Sequence, residues 1–198
     1  VAWALANRYF PEIYGDWSSA TYWLTAIVGV IGFACSIIIH ELAHSLVARA
    51  HGIELRSITL FIFGGAAQIE SEPATPKTEL LMAVAGPAAS LTLAVVFGAV
   101  YQSGLSSGWP EPIVALTRYL GLLNLVLGLF NLVPAVPMDG GRILRSLLWA
   151  WWGDLRTTTQ WASRVGTGFG IALMTFGVGL LLIGAVSAGF WWLLMGLF

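Results

Sequence analysis

Long uncharged stretches separated by shorter polar ones dominate the chain. Tyr22–Ile39 contains no Asp, Glu, Lys or Arg, and the stretch continues to Ala48 if His40–His44 is absorbed. Leu80–Val100 and Tyr119–Met138 repeat the pattern, and Val165–Phe198 is uncharged over 34 residues. About 20 apolar residues in a helix cross a hydrocarbon core of about 30 Å, so each stretch predicts a transmembrane helix. The last would reach about 51 Å as one helix at 1.5 Å per residue, so it is read as two, divided at Ser187–Ala188–Gly189. Val1–Asn7 reads as the last turns of an earlier helix. The expected fold is an all-α polytopic membrane protein of about six transmembrane helices, the first and last truncated. It forms a single domain over 1–198, with core helices at 22–48, 79–101 and 113–138 and flanking ones at 1–7, 162–186 and 190–198.

The connections add detail. Arg8–Thr21 holds Tyr9, Phe10, Tyr14 and Trp17, the aromatic composition of a membrane–water interface. Arg49–Lys77 is the longest polar stretch. Within it, Ser57–Phe63 is rich in β-branched and aromatic residues and ends in Gly64–Gly65, which predicts a small β-strand or hairpin between the second and third helices. A re-entrant apolar loop is the competing reading, because short apolar runs are ambiguous. Ile143–Trp152 reads as a short interfacial helix with Trp149, Trp151 and Trp152 at headgroup level.

Composition agrees. Hydrophobic residues make up 58% and charged residues 10%, where an average soluble domain is about 25% charged. With a mean hydropathy of +0.81, there are too few charges to coat a water-soluble globule. That excludes an ordinary cytosolic enzyme, a disordered tail and a disulfide scaffold. A formal charge of −1 gives no reason to expect nucleic acid as a partner, and the single Cys35 forms no internal disulfide. Membrane lipid is the expected surroundings. Arg49, Arg56 and Lys77 follow the second helix, and Arg142, Arg145, Arg156 and Arg164 follow the fourth; the loops between them offer only Arg8. The excess places the second and fourth loops, and both termini, in the cytoplasm of a multi-pass cell-membrane protein.

Ionisable groups inside an apolar span are costly, about 2.5–3.5 kcal/mol each on insertion scales, and mark function by default. His40-Glu41-Leu42-Ala43-His44 places three near the cytoplasmic end of the second helix. Positions four apart share one helix face, so both imidazoles can meet one metal ion. Glu41 leaves from a neighbouring direction, where it can hold a water as general base, the HExxH arrangement of zinc metallopeptidases. His51 follows the helix and reads as solvated. A catalytic zinc needs a third protein ligand and one open position. Cys35 lies about 140° round the helix from His40 and points elsewhere. Glu70, Glu72 and Glu79 sit in the polar loop. Asp139 is better placed, closing Asn131–Arg142, where Pro134 and Pro137 break the helix and expose backbone to a polar cavity. A plain helix end with an Asp cap is the other reading of that segment.

HELAH at 40–44 and NLVPAVPMDGGR at 131–142 closely resemble the site-2 protease family of intramembrane zinc metalloproteases. The resemblance extends to Gly64–Gly65 and to Ala85–Ser90, with Asp139 falling 95 residues after His44. It implies one Zn²⁺ per chain held by His40, His44 and Asp139, with Glu41 as catalytic acid/base. It further implies cleavage of a transmembrane protein substrate within the membrane, the zinc lying toward the cytoplasmic side. Family members often continue into cytoplasmic cystathionine-β-synthase-type regulatory domains. Asn131 is a candidate donor to substrate or oxyanion, or else an interhelical hydrogen bond. Arg142 is a candidate partner orienting Asp139, and Ala85–Ser90 reads as close packing. The strand at 57–63 offers an edge to an extended substrate, with Gly64 and Gly65 permitting close approach. The alternatives are a membrane metal transporter, which favours several relays along successive helices, and an inactive scaffold, which usually lacks the Glu or a ligand.

Overall fold

The structure is a computed structural model, describing residues 1–53, 73–135 and 137–197 fully and 55–61 and 64–69 by backbone alone. Helices account for most of it. The N-terminal turns are α1 (Ala2–Ala4), a π-helical turn (Leu5–Tyr9) and α2 (Phe10–Ile13). Then come α3 (Ser19–Ala50), strands β1 (Leu55–Phe61) and β2 (Gly64–Ile69), α4 (Pro76–Ser106) and α5 (Glu111–Asn131). The chain continues as α6 (Asp139–Trp152), α7 (Leu155–Leu182) and α8 (Val186–Leu197). The two strands run antiparallel, Phe61 opposite Gly64 and Ser57 opposite Gln68, with a register irregularity between Leu55 and Ser57.

Among the described residues, four helices are long and apolar enough to cross a membrane: α3, α4, α5 and α7. The expected count of six is therefore not reached. At 1.5 Å per residue, the 12 residues of α8 extend about 18 Å, short of the hydrocarbon thickness. The N-terminal turns, Ala2–Ile13, hold no more residues than α8, and they run to Ile13 rather than stopping at Asn7. The last uncharged stretch breaks at Ile183–Ala185, ahead of the anticipated Ser187–Gly189. Gly184 adopts φ +84°, a left-handed conformation cheap only for glycine, and the Ala185 N–H donates back to the Leu180 carbonyl at 2.9 Å. The third core helix ends at Asn131, not 138, because Pro134 and Pro137 cannot supply helical N–H donors.

Two compact units can be distinguished, residues 1–70 with 85–129 and residues 71–84 with 130–198. In the first, the core gathers Leu5, Ala6, Phe10, Tyr22, Ala26, Ala115, Tyr119 and Leu120. Ser18 caps α3 by accepting from the Thr21 N–H, and Tyr14 stacks on Trp17 at 4.9 Å. The Trp17 indole donates to Glu111 at 2.7 Å, tying the start of α5 to the loop before α3. Deeper in, the fully buried Asn124 amide donates to Ser36 Oγ at 3.0 Å and to the Leu120 carbonyl at 2.9 Å. In the second unit, α8 folds back on α7 and α6 packs on α7. Asp154 caps α7 by accepting from the Arg156 and Thr157 N–H groups.

Candidate metal centre

The inward face of α3 is polar. Ser36, His40, His44 and Ala48, each four residues from the next, are buried, while Ile38, Ile39, Leu42 and Leu46 point outward. An i, i+4 repeat stacks these side chains in one column. His40 is 3% exposed and His44 9%, their ring centroids 4.9 Å apart and nearly perpendicular. The two Nε2 atoms lie 3.2 Å apart.

Helix α4 supplies what faces them. Ser90, fully buried, hydrogen-bonds His40 Nδ1 through its hydroxyl at 2.9 Å. In the tautomer that carries its proton on Nδ1, His40 donates to Ser90 and keeps its lone pair at Nε2, the atom turned toward His44. Gly86, one turn earlier, lies directly against the pair. A Cβ there would come within 2.6 Å of His40 Nε2 and closer still to His44 Nε2. Pro87 follows inside the helix and removes one backbone hydrogen bond at this level.

These residues fit a zinc ion. Nitrogens of two ligands on one tetrahedral ion, each about 2.05 Å from it, are about 3.3 Å apart. The observed 3.2 Å is that spacing, and the volume a side chain at position 86 would fill is kept clear. Neutral imidazole is a preferred zinc donor. Glu41 is half-buried on the neighbouring face of α3.

Of the other anticipated residues, Asn131, Asp139, Arg142 and Glu79 belong to the second unit, Cys35, His51, Gly64 and Gly65 to the first, and Glu70 and Glu72 lie outside the described residues. Asn131 is the last residue of α5 and Asp139 the first of α6, whose N-cap Met138 makes no side-chain cap. Between them the chain turns through short backbone bonds, Ala135 N–H to Val133 O at 2.7 Å and Met138 N–H to Ala135 O at 2.8 Å. Gly140 closes against the carbonyls of Leu132 and Val133, where a Cβ would collide. Arg142 lines a cavity of about 390 Å³ with Arg145, Thr159 and Ser163. Arg145 grips the Glu79 carboxylate, and Glu79 is a buried member of the first turn of α4 rather than a loop residue. Cys35 is exposed, and His51 Nδ1 meets the Val47 carbonyl at 2.8 Å at the end of α3. Gly64 and Gly65 pair with Phe61 and Leu60 through their backbone, while Glu70, Glu72 and the end of the anticipated strand, 62–63, lie outside the described residues. Sequence reasoning treated Ala85–Ser90 as packing and so missed Ser90; a lone hydroxyl among small residues gives no periodic signal.

Comparison with known proteins places this geometry. A sequence profile of Peptidase family M50 matches residues 28–108 and 99–175. "Putative zinc metalloprotease sll0528" of Synechocystis is 42% identical over 190 residues, 96% of this chain and 48% of that protein. Zinc metalloprotease MJ0392 of Methanocaldococcus jannaschii is 36% identical over 163 residues, 81% of this chain and 45% of its own. The chain thus spans about half the length of the curated relatives it matches. A solved structure, the site-2 protease from Methanocaldococcus jannaschii, superposes with a TM-score of 0.60 at 30% identity, covering 94% of this chain and 81% of that one. The profile reaches over the histidine pair, Gly86, Ser90 and Asp139, and the chain belongs to peptidase family M50, the site-2 protease family of zinc metalloproteases.

Proposed function

We propose that this chain is the membrane domain of an intramembrane zinc metallopeptidase that hydrolyses a peptide bond within or near a transmembrane segment of another protein. The observation that carries the reading is the pair of Nε2 atoms 3.2 Å apart on the inward face of α3, beside Glu41 and against Gly86. Zinc would be held by His40, His44 and Asp139. Support comes from the donor set: among the described residues, one group of three His, Cys, Asp or Glu suits a metal ion, and it consists of these. When bound, the metal supplies Lewis acidity, lowering the pKa of a water to about 7 and polarising the scissile carbonyl. Glu41 takes the proton of the attacking water and delivers it to the leaving amine. Ser90 holds the His40 ring in the tautomer that presents Nε2. Asn131 donates to the oxyanion or to substrate, and Arg142 balances the charge of Asp139 from the same helix.

The substrate is a transmembrane protein presented in extended form, since an intact helix shields its carbonyls. The edge strand, with Gly64 and Gly65 at its turn, receives it by strand addition. The Lys/Arg excess after α3 and in α6–α7 orients these segments, and the zinc with them, toward the cytoplasm of a multi-pass protein.

Glu41→Gln tests the chemistry. It is nearly isosteric but accepts no proton, and loss of a general base costs about 10²–10⁴-fold in rate. The purified variant should retain zinc and cleave a single-span substrate at least about a hundred times more slowly. Near-normal cleavage by a zinc-loaded variant would remove Glu41 from the mechanism.

A further inference from the structure

Glu79 and Arg145 take no part in the chemistry above, yet they form a buried ion pair within the second unit. Glu79, in the first turn of α4, is 0% exposed. The Arg145 Nε donates to Glu79 Oε1 at 2.7 Å, and its Nη2 donates to the same oxygen. Glu79 Oε2 is buried with no hydrogen-bond partner among the described residues. Such a pair is a poor device for stability, because an apolar pair of similar volume often does as well or better. Leaving one carboxylate oxygen unpaired adds to its cost. What a guanidinium fork on a carboxylate does supply is direction, since its planar donors fix both distance and angle.

Helix α6 needs that. Its first residue, Asp139, follows the non-helical residues 132–135 and 137–138, and its N-cap residue Met138 makes no side-chain cap. Arg145 lies six residues on, about 9 Å along the axis and about 240° round it, so its side chain leaves α6 away from that of Asp139. Any influence on Asp139 passes through the helix backbone. We propose that the Glu79–Arg145 pair is a positioning device for Asp139, setting the rotation and depth of the first two turns of α6 on α4 so that the carboxylate is aimed before metal arrives. The inference rests on the reading of Asp139 as a zinc ligand.

The test measures zinc affinity by chelator competition, and thermal unfolding of the metal-free protein, on the same detergent-purified chain. The Glu79→Leu/Arg145→Met double variant removes both charges together and leaves no orphan. Its metal-free melting temperature should stay within a few degrees of the parent, while zinc binds at least about tenfold more weakly. Parental zinc affinity in the double variant overturns the inference. If the double variant fails to fold, Arg145→Lys keeps the charge without the fork; it should weaken zinc measurably at an unchanged melting temperature, and parental affinity there also overturns the inference. Asp139→Asn separates the two levels. If it binds zinc as the parent does, the ligand reading fails and takes this inference with it. If it loses zinc while the Glu79 and Arg145 variants do not, only the positioning role falls.

Discussion

The histidine column of α3 and the ion pair at the start of α4 bury polar groups by opposite means. His40 and His44 are four residues apart on one regular helix, and His40 Nδ1 meets the Ser90 hydroxyl in a hydrogen bond. Glu79 and Arg145 stand 66 residues apart, carry full charges and leave one oxygen unmatched. In the first case local helix geometry puts the groups together. In the second only tertiary packing does, and the groups in turn hold that packing in place. The first arrangement is rigid because a helix gives it; the second lasts only as long as the packing around it is maintained.

Adding bulk to the rigid arrangement is the hardest way to break this contrast. Gly86→Ala puts a Cβ within 2.6 Å of His40 Nε2, so α4 must retreat or the rings must turn. We expect zinc affinity to fall at least about a hundredfold, beyond the about 10–100-fold typical of altering a ligand's supporting partner. Binding within a few-fold of the parent would mean that the helix pair yields easily. Ser90→Ala is milder, removing one hydrogen bond and leaving the column intact. Zinc affinity should drop about 10–100-fold, read by the same competition, with the melting temperature nearly unchanged. Smallest is an exposed, local contact. The Asp154 carboxyl is held below its usual value of 3.8 by the Thr157 hydroxyl, then by the Thr157 and Arg156 N–H groups. A lowered pKa in the folded state means the cap is fully present above the ordinary carboxylate value and is lost as pH falls through the depressed one. The melting-temperature difference between parent and Asp154→Ala should therefore be slight near neutrality and vanish only in strong acid. A difference that grew on acidification would reverse the sign of this contribution.

The same contrast governs what could be read in advance. HELAH was legible because a helix converts a spacing of four into a shared face. The four long spans were legible because charge-free length needs no partner to interpret. Ser90 was not, since a hydroxyl among alanines acquires meaning only from the ring it meets. Glu79 was assigned to a loop because nothing in Pro76–Leu80 announces an arginine 66 residues away. The break before α8 was misplaced by a few residues: Gly184 and Gly189 are equivalent in sequence, and only the former takes a positive φ. The restart of the chain at Asp139 was legible through the prolines before it, which stop α5.

The polar column of α3 also sets an order of events during synthesis. As α3 leaves the translocation machinery, Ser36, His40, Glu41 and His44 enter a membrane with nothing to shield them, and ionisable groups at that depth are costly. The next segment to emerge is α4, which brings Ser90 to His40 and lays Gly86 over both rings. Helix α5 follows with Asn124 for Ser36. Each newly made helix thus quenches the exposed polarity of the one already waiting, and the order in which the chain is made becomes the order in which the site is insulated from lipid.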